Sequence, residues 1–127
     1  MNLSLSTLSA QVLALAFAVG APALQAQTLK VKCETRSGRS TASVDGKSLA
    51  AGNYTAMLKS GANSAQTGVQ PTVKGEVEFD FSSQPRDIRK GATPIAADFI
   101  VNGEVVGSLI DSNGQTVISH TQACRVR

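Results

Sequence analysis

Cys33 and Cys124 are the only cysteines, and they stand near the two ends of the segment that lies behind a removable leader. An even, minimal cysteine count in an exported chain reads as one disulfide. Such a bridge ties the first segment of the domain to the last, so the fold must bring its ends side by side. A metal site is the poorer reading, because a single histidine, His120, accompanies the two thiols. Closing so long a loop contributes on the order of 4–5 kcal/mol by the chain-entropy model. That is a large share of a typical domain stability of about 5–15 kcal/mol.

The first 26 residues carry no charged side chain. Val12 to Val19 is an apolar run, broken by Gly20 and Pro22 and followed by small residues up to Ala26. This is the layout of a secretory signal peptide, although the usual Lys or Arg at its head is missing. Cleavage is expected after Ala26, with Ala23 as the second choice. The run falls short of the roughly 20 apolar residues a membrane-spanning helix needs. Residues 1–26 are therefore read as a leader and residues 27–127 as one domain, 127 − 26 = 101 residues long. The mature chain is expected to be secreted or periplasmic, with no transmembrane segment. Its 12 basic and 9 acidic side chains leave a net charge of +3. That is too weak a field for nucleic-acid binding, which calls for a dense basic patch.

After Gln27 the chain shows short runs of period two, separated by Gly, Pro, Asn and Asp. This pattern predicts antiparallel strands. Leu29, Val31 and Cys33 alternate with Lys30, Lys32, Glu34 and Arg36. From Thr72 to Ser82, Val73, Gly75, Val77, Phe79 and Phe81 alternate with Lys74, Glu76, Glu78 and Asp80, which predicts one long strand with both Phe rings in the core. Ser60 to Gln70 is polar and Gly-containing and predicts a long surface loop. Ile95 to Val101 and Glu104 to Ile110, apolar on both faces, predict a central hairpin closed by a type I′ turn at Asn102-Gly103. The last segment is expected to turn Cys124 and Val126 inward.

The spacing Leu49-x-x-Gly52-x-Tyr54 resembles the tyrosine corner of immunoglobulin-like sandwiches, in which the Tyr hydroxyl bonds back to nearby backbone. The Cys that follows this motif in antibody domains is replaced by Ala56. Together these features predict an all-β, antiparallel, immunoglobulin-like sandwich of seven or eight strands. A small closed β-barrel is the alternative.

No residue cluster carries recognisable catalytic chemistry, and the chain reads as a non-enzyme without cofactor or metal. His120 is the sole imidazole, and Gly107-Ser108 lacks the second Gly of a nucleophile elbow. Glu76, Glu78 and Asp80 form an acidic stripe that reads first as a solvated strand face. Whether that stripe, or the Asp111-x-Asn113-Gly114 turn, takes calcium is open at this level.

The basic residues suggest a function. If the bridged end strands are neighbours, Lys30, Lys32, Arg36, Arg125 and Arg127 share one outward surface. Arg86 and Arg89 add cations in the connection from Ser83 to Pro94, where a single helical turn fits. The expected role is a non-catalytic binding or surface-interaction domain, its partner an anionic glycan, another envelope component or a protein. The alternative is a small inhibitor of an extracellular enzyme, inserting Gln84-Pro85-Arg86-Asp87-Ile88. The acidic and basic stripes leave the oligomeric state undetermined at this level.

Overall fold

A computed structural model of the protein describes residues 26–127. The expected leader, but for Ala26, lies outside the described residues. The elements in chain order are β1 (Thr28–Arg36), β2 (Arg39–Lys47), β3 (Asn53–Ser60), β4 (Asn63–Gln66), β5 (Gln70–Pro71) and β6 (Val77–Ser82). A helical turn, α1 (Pro85–Arg89), comes next, then β7 (Thr93–Pro94), β8 (Glu104–Ile110), β9 (Thr116–Ala123) and β10 (Arg125–Val126). They form two sheets. Sheet I has the order β10-β1-β2-β6-β7, and sheet II the order β4-β3-β8-β9 with β5 also paired to β3.

The fold is thus an all-β sandwich, as the alternation predicts. Its pairings are antiparallel except for two short parallel ones, β1 with β10 and β6 with β7. The barrel alternative is excluded: among the described residues no hydrogen-bonded ladder joins the edges of sheet I to those of sheet II. No helix among the described residues is long and apolar enough to cross a membrane.

Period-two burial builds the core between the sheets. Sheet I contributes Val31, Ala42, Val44, Val77, Phe79 and Phe81, and sheet II contributes Tyr54, Ala56, Leu58, Val105 and Leu109. The sheets pack tightly at Gly107 of β8. A Cβ built there would lie 2.8 Å from Val31 Cγ2 and 3.0 Å from Val44 Cγ2. The Tyr54 hydroxyl donates to the Ala50 carbonyl at 2.8 Å, the local bond of a tyrosine corner.

The disulfide forms between Cys33 and Cys124, whose Cα atoms are 4.7 Å apart. It fastens the inner face of β1 to the point where the chain leaves β9 and crosses to sheet I. There β10 runs alongside β1, with Glu34 opposite Arg125.

Four expectations are corrected. The strand predicted over Thr72–Ser82 begins only at Val77. Lys74 and Gly75 both take positive φ, 54° and 76°, and make a tight turn in which Val73 and Glu76 exchange backbone hydrogen bonds at 3.0 Å. Consecutive left-handed residues reverse the chain, so Val73 lies in solvent at 69% exposure instead of joining the Phe face. The predicted Ser60–Gln70 loop is mostly a hairpin: β4 folds back on β3, from Ser60↔Asn63 to Met57↔Gln66. Val126 is exposed, because β10 is an edge strand of two residues with nothing packed over it.

The predicted strand over Ile95–Val101 departs furthest. The segment is irregular, although Ile95 and Phe99 are buried in the core and the Asn102-Gly103 turn forms with φ of 56° and 64°. The Ile95 N–H still bonds to the Ser82 carbonyl of β6 at 3.0 Å, but beyond it the long-range bonds of the backbone go to side chains instead of a neighbouring strand. Ser40 Oγ donates to the Ala97 carbonyl at 2.7 Å and Asn63 Nδ2 to the Phe99 carbonyl at 2.7 Å. Ser60 Oγ accepts from the Val101 N–H and donates to the Glu104 carbonyl, both at 2.7 Å. Buried backbone groups must be paired, and these side chains substitute for a ladder.

Reduction should lower the melting temperature sharply, by an amount equivalent to as much as about 4–5 kcal/mol; an unchanged melt in strong thiol reductant would show the bridge to be energetically idle. Gly107→Ala should destabilise by about 1–3 kcal/mol through overpacking, a fall of roughly 4–8 °C per kcal/mol in a thermal melt. A melt equal to that of the parent would mean that the sheets are free to separate at this point.

Candidate functional site

The outward face of sheet I is ordered in rows by its register. Lys30, Asp45 and Glu78 make one row, and Lys32, Ser43 and Asp80 the next. Glu34, Thr41 and Ser82 make the third, extended by Arg125 beside Glu34. The middle strand, β2, therefore presents the short side chains Thr41, Ser43 and Asp45. It is flanked by long cations on β1 and by acids on β6. Short side chains between long ones leave a trough along β2.

One end of the trough is closed by α1. The Ser82 hydroxyl donates to Asp87 Oδ2 at 2.8 Å and accepts from the Gln84 N–H at 2.9 Å, which folds α1 back over the sheet and buries Ser82. The Pro at the start of the helical turn supports that bend, since its fixed φ suits a first helical position. The opposite wall is the β9–β10 crossing held by the disulfide. Between them lies an open groove of about 670 Å³, with Thr41 and Ser43 in its floor and Lys32, Asp80, Lys90 and Arg125 around its rim. A smaller depression of about 390 Å³ lies further along the same strands between Lys30, Asp45, Lys47 and Glu78.

The expected cations divide into two sets. Lys30, Lys32 and Arg36 are exposed on β1, and Arg125 and Arg127 lie beside that strand, as the shared-surface reading predicts. Glu34 sits among them. Its carboxylate lies 3.0 Å from Arg127 Nε and 3.7 Å from Arg36 Nε, and the Arg127 N–H also bonds to the Thr35 carbonyl at 2.9 Å. Such exposed pairs are each worth only about 0–1 kcal/mol. Lys32, Lys90, Arg125 and Asp80 make no ion pair among the described residues. Arg86 and Arg89 are exposed on α1 and do not line the groove.

Among the acids, Glu78 and Asp80 face outward on β6, whereas Glu76 belongs to the preceding turn. Asp111 Oδ1 accepts the N–H groups of Asn113 and Gln115, each at 2.9 Å, so the carboxylate shapes its own turn. Among the described residues no group of three or more His, Cys, Asp and Glu could hold a metal ion. His120 is exposed on β9, its Nε2 3.1 Å from Gln122 Oε1, away from the hydroxyls of the groove.

The hydroxyl floor is absent from the residues singled out in the sequence, and Lys90 figures there only as the end of the Gln84–Lys90 loop. The floor had a signal, since Thr41, Ser43 and Asp45 alternate with Ala42 and Val44. Lys90 had none for its place on the groove rim, because its position depends on how α1 is folded back. A scan against protein-family models finds no match, and a search of curated proteins finds none either.

Asp45 carries the electrostatic strain of this face. Partial burial raises its carboxyl above the ordinary 3.8, Glu78 and Asp80 raise it further, and Lys32 and Lys30 oppose them. The folded chain then holds a proton on Asp45 at pH values where the unfolded chain has released it. Its ionisation works against the fold as pH rises from 3.8 through the higher folded value. Asp45→Asn should therefore melt at a higher temperature than the parent at pH 7, with the gain vanishing below the ordinary Asp value. Identical melts at neutral pH would remove the strain from this site.

Proposed function

We propose that the protein is an exported, non-catalytic binding domain that takes an anionic glycan or a related anionic envelope component in the groove across sheet I. The observation that carries this reading is the set of three cations without an ion pair among the described residues, Lys32, Lys90 and Arg125, around a floor of hydroxyls. Carboxylate or sulfate groups on a sugar would meet the cations by charge-assisted hydrogen bonds. Sugar hydroxyls would meet Thr41, Ser43 and the Asp80 carboxylate. A ligand bearing both kinds of group matches this rim better than a simple anion, which Asp80 would repel.

Export is supported by the disulfide together with the leader-like first 26 residues. The Tyr54–Ala50 bond supports an immunoglobulin-like kinship of the sandwich. An inhibitor would present Gln84–Ile88 as an inserted loop. That segment is largely a helical turn seated on Ser82, which favours the binding reading.

Calorimetric titration with uronic-acid and sulfated oligosaccharides tests this. Binding should weaken as salt rises. Combined replacement of Lys32, Lys90 and Arg125 by Ala should reduce affinity by at least about tenfold, or 1.4 kcal/mol, while the melting temperature holds. The Arg86→Ala, Arg89→Ala double variant should bind as the parent does. Affinity untouched by the triple replacement would sink the groove as the site.

A further inference from the structure

The two sheets have four lateral edges, and three of them are short. Sheet I ends on β10 and β7, of two residues each, and β7 contains Pro94. Sheet II ends on β4, of four residues, and on β9, of eight. Brevity, Pro and charge are the usual devices that keep sheet edges from pairing with other chains. β9 has none of them. Its sequence, Thr-Val-Ile-Ser-His-Thr-Gln-Ala, contains no Lys, Arg, Asp, Glu, Pro or Gly.

The ladder fixes which backbone groups this edge offers. The Cys124 N–H donates to the Gly103 carbonyl at 2.7 Å. In an antiparallel ladder hydrogen-bonded pairs alternate with non-bonded ones. Counting back from Cys124 in the observed register, Gln122, His120 and Ile118 direct their backbone groups to β8. Ser119 and Thr121 direct theirs away from it. The Ser108–Ser119 hydroxyl contact at 2.8 Å agrees, since side chains come closest at non-bonded pairs. The outward carbonyl of Ala123 is already met by Gln122 Nε2 at 3.1 Å. His120 shares the inward-facing set, opposite Gly107, yet it is exposed. Ser119 and Thr121 are exposed as well, and among the described residues no strand hydrogen-bonds to β9 on the side away from β8, although β1 of sheet I lies close beside it.

We infer that a second copy of this chain docks on that edge, β9 against β9, antiparallel about a two-fold axis through His120. Ser119 N–H then donates to the Thr121 carbonyl of the second copy, and Thr121 N–H to its Ser119 carbonyl. The symmetry doubles these to about four backbone bonds, the number an antiparallel pairing of this register provides. The axis stands perpendicular to sheet II, so inner faces remain inner, and two paths of four strands join into one sheet of eight. A second copy is the fitting occupant because the strand is uncharged and rich in β-branched residues. Laid against itself it opposes no like charges, which β1 with Lys30, Lys32 and Arg36 would do. The contact is isologous and closes at a dimer. The pairing does not rest on the groove reading, although Gln122 and Ala123 at the end of β9 also line one wall of the groove.

Sedimentation of the purified protein across a concentration series tests this, with hydrogen exchange read alongside. A monomer–dimer equilibrium is expected, and the amides of Ser119 and Thr121 should exchange more slowly as concentration rises. Thr121→Pro removes an outward N–H without removing a bond to β8, and His120→Lys sets two like charges at the axis. Each should abolish the dimer and leave the melting temperature of the dilute, monomeric protein unchanged. Monomer alone up to about 1 mM, a bound state worth less than about 4.1 kcal/mol, would overturn the proposal. So would a dimer that survives both variants, or one whose formation leaves the exchange of Ser119 and Thr121 unaltered; this last readout stands even if a variant fails to fold. Extended peptides that bind the β9 edge of a strictly monomeric protein would give the edge to another occupant and equally overturn it.

Discussion

The Cys33–Cys124 bridge is the constraint on which the arrangement of this domain turns. A sandwich of two sheets is held mainly by non-directional apolar burial between them. Burial alone does not say which edge strand lies beside which. The bridge does, because it pins β1 of sheet I to the end of β9 in sheet II. With that point fixed, the chain after Cys124 can only run alongside β1, which produces the parallel pairing with β10. Arg125 is thereby set beside Glu34 and at the rim of the groove, and Arg127 reaches the Glu34 carboxylate. The staple that closes the fold also assembles one wall of the proposed binding site.

Three buried serines have a comparable influence for their size. Ser40, Ser60 and Ser82 each sit almost fully out of solvent, and each hydroxyl is hydrogen-bonded. A buried hydroxyl without a partner is costly, so these bonds are obligatory. Ser40 and Ser60 hold the irregular Ile95–Val101 segment, letting Ile95 and Phe99 enter the core without a continuing ladder. Ser82 holds α1 over the outward face of sheet I. The first two complete the core, and the third shapes the groove.

Most of the fold was legible because burial in a strand has a period that a sequence displays directly. The faces of β1, the inward Phe79 and Phe81 of β6, the pairing of the cysteines and the left-handed Asn102-Gly103 turn could all be read from residue order. Other features could not. Lys74-Gly75 interrupts an alternation that looks unbroken from Val73 to Phe81, since the alternation of side chains does not register a backbone reversal. Ile95–Val101 has the composition of a strand, and only the long-range bonds from Ser40, Ser60 and Asn63 show why it is not one. The groove was half visible: its cations on β1 and β10 followed from strand phase and the bridge. Lys90 depends on the Ser82–Asp87 bond, a tertiary contact between short polar residues that carries no pattern.

The outer faces of the two sheets differ in kind, and the difference bears on what each can do. Sheet I turns out Lys30, Lys32, Glu34, Asp45, Glu78 and Asp80, so its ionic strain, concentrated at Asp45, is a property of one face. Sheet II turns out Thr55, Met57, Val106, Ser108, Ser119 and Thr121, with Lys59 and Glu104 as charged members of that face. A face crowded with charge resists close approach by another such face unless the signs match, and it attracts polar ligands from a distance. A sparsely charged face and an uncharged edge strand exert far less of that selection, and contact at the edge is governed by backbone pairing and shape. The two proposed modes of recognition therefore fall on different surfaces of one small sandwich. The charge-directed capture proposed above would use the β1-β2-β6 face. The proposed geometry-directed pairing would use β9, where a single Lys or Pro in the strand would oppose it.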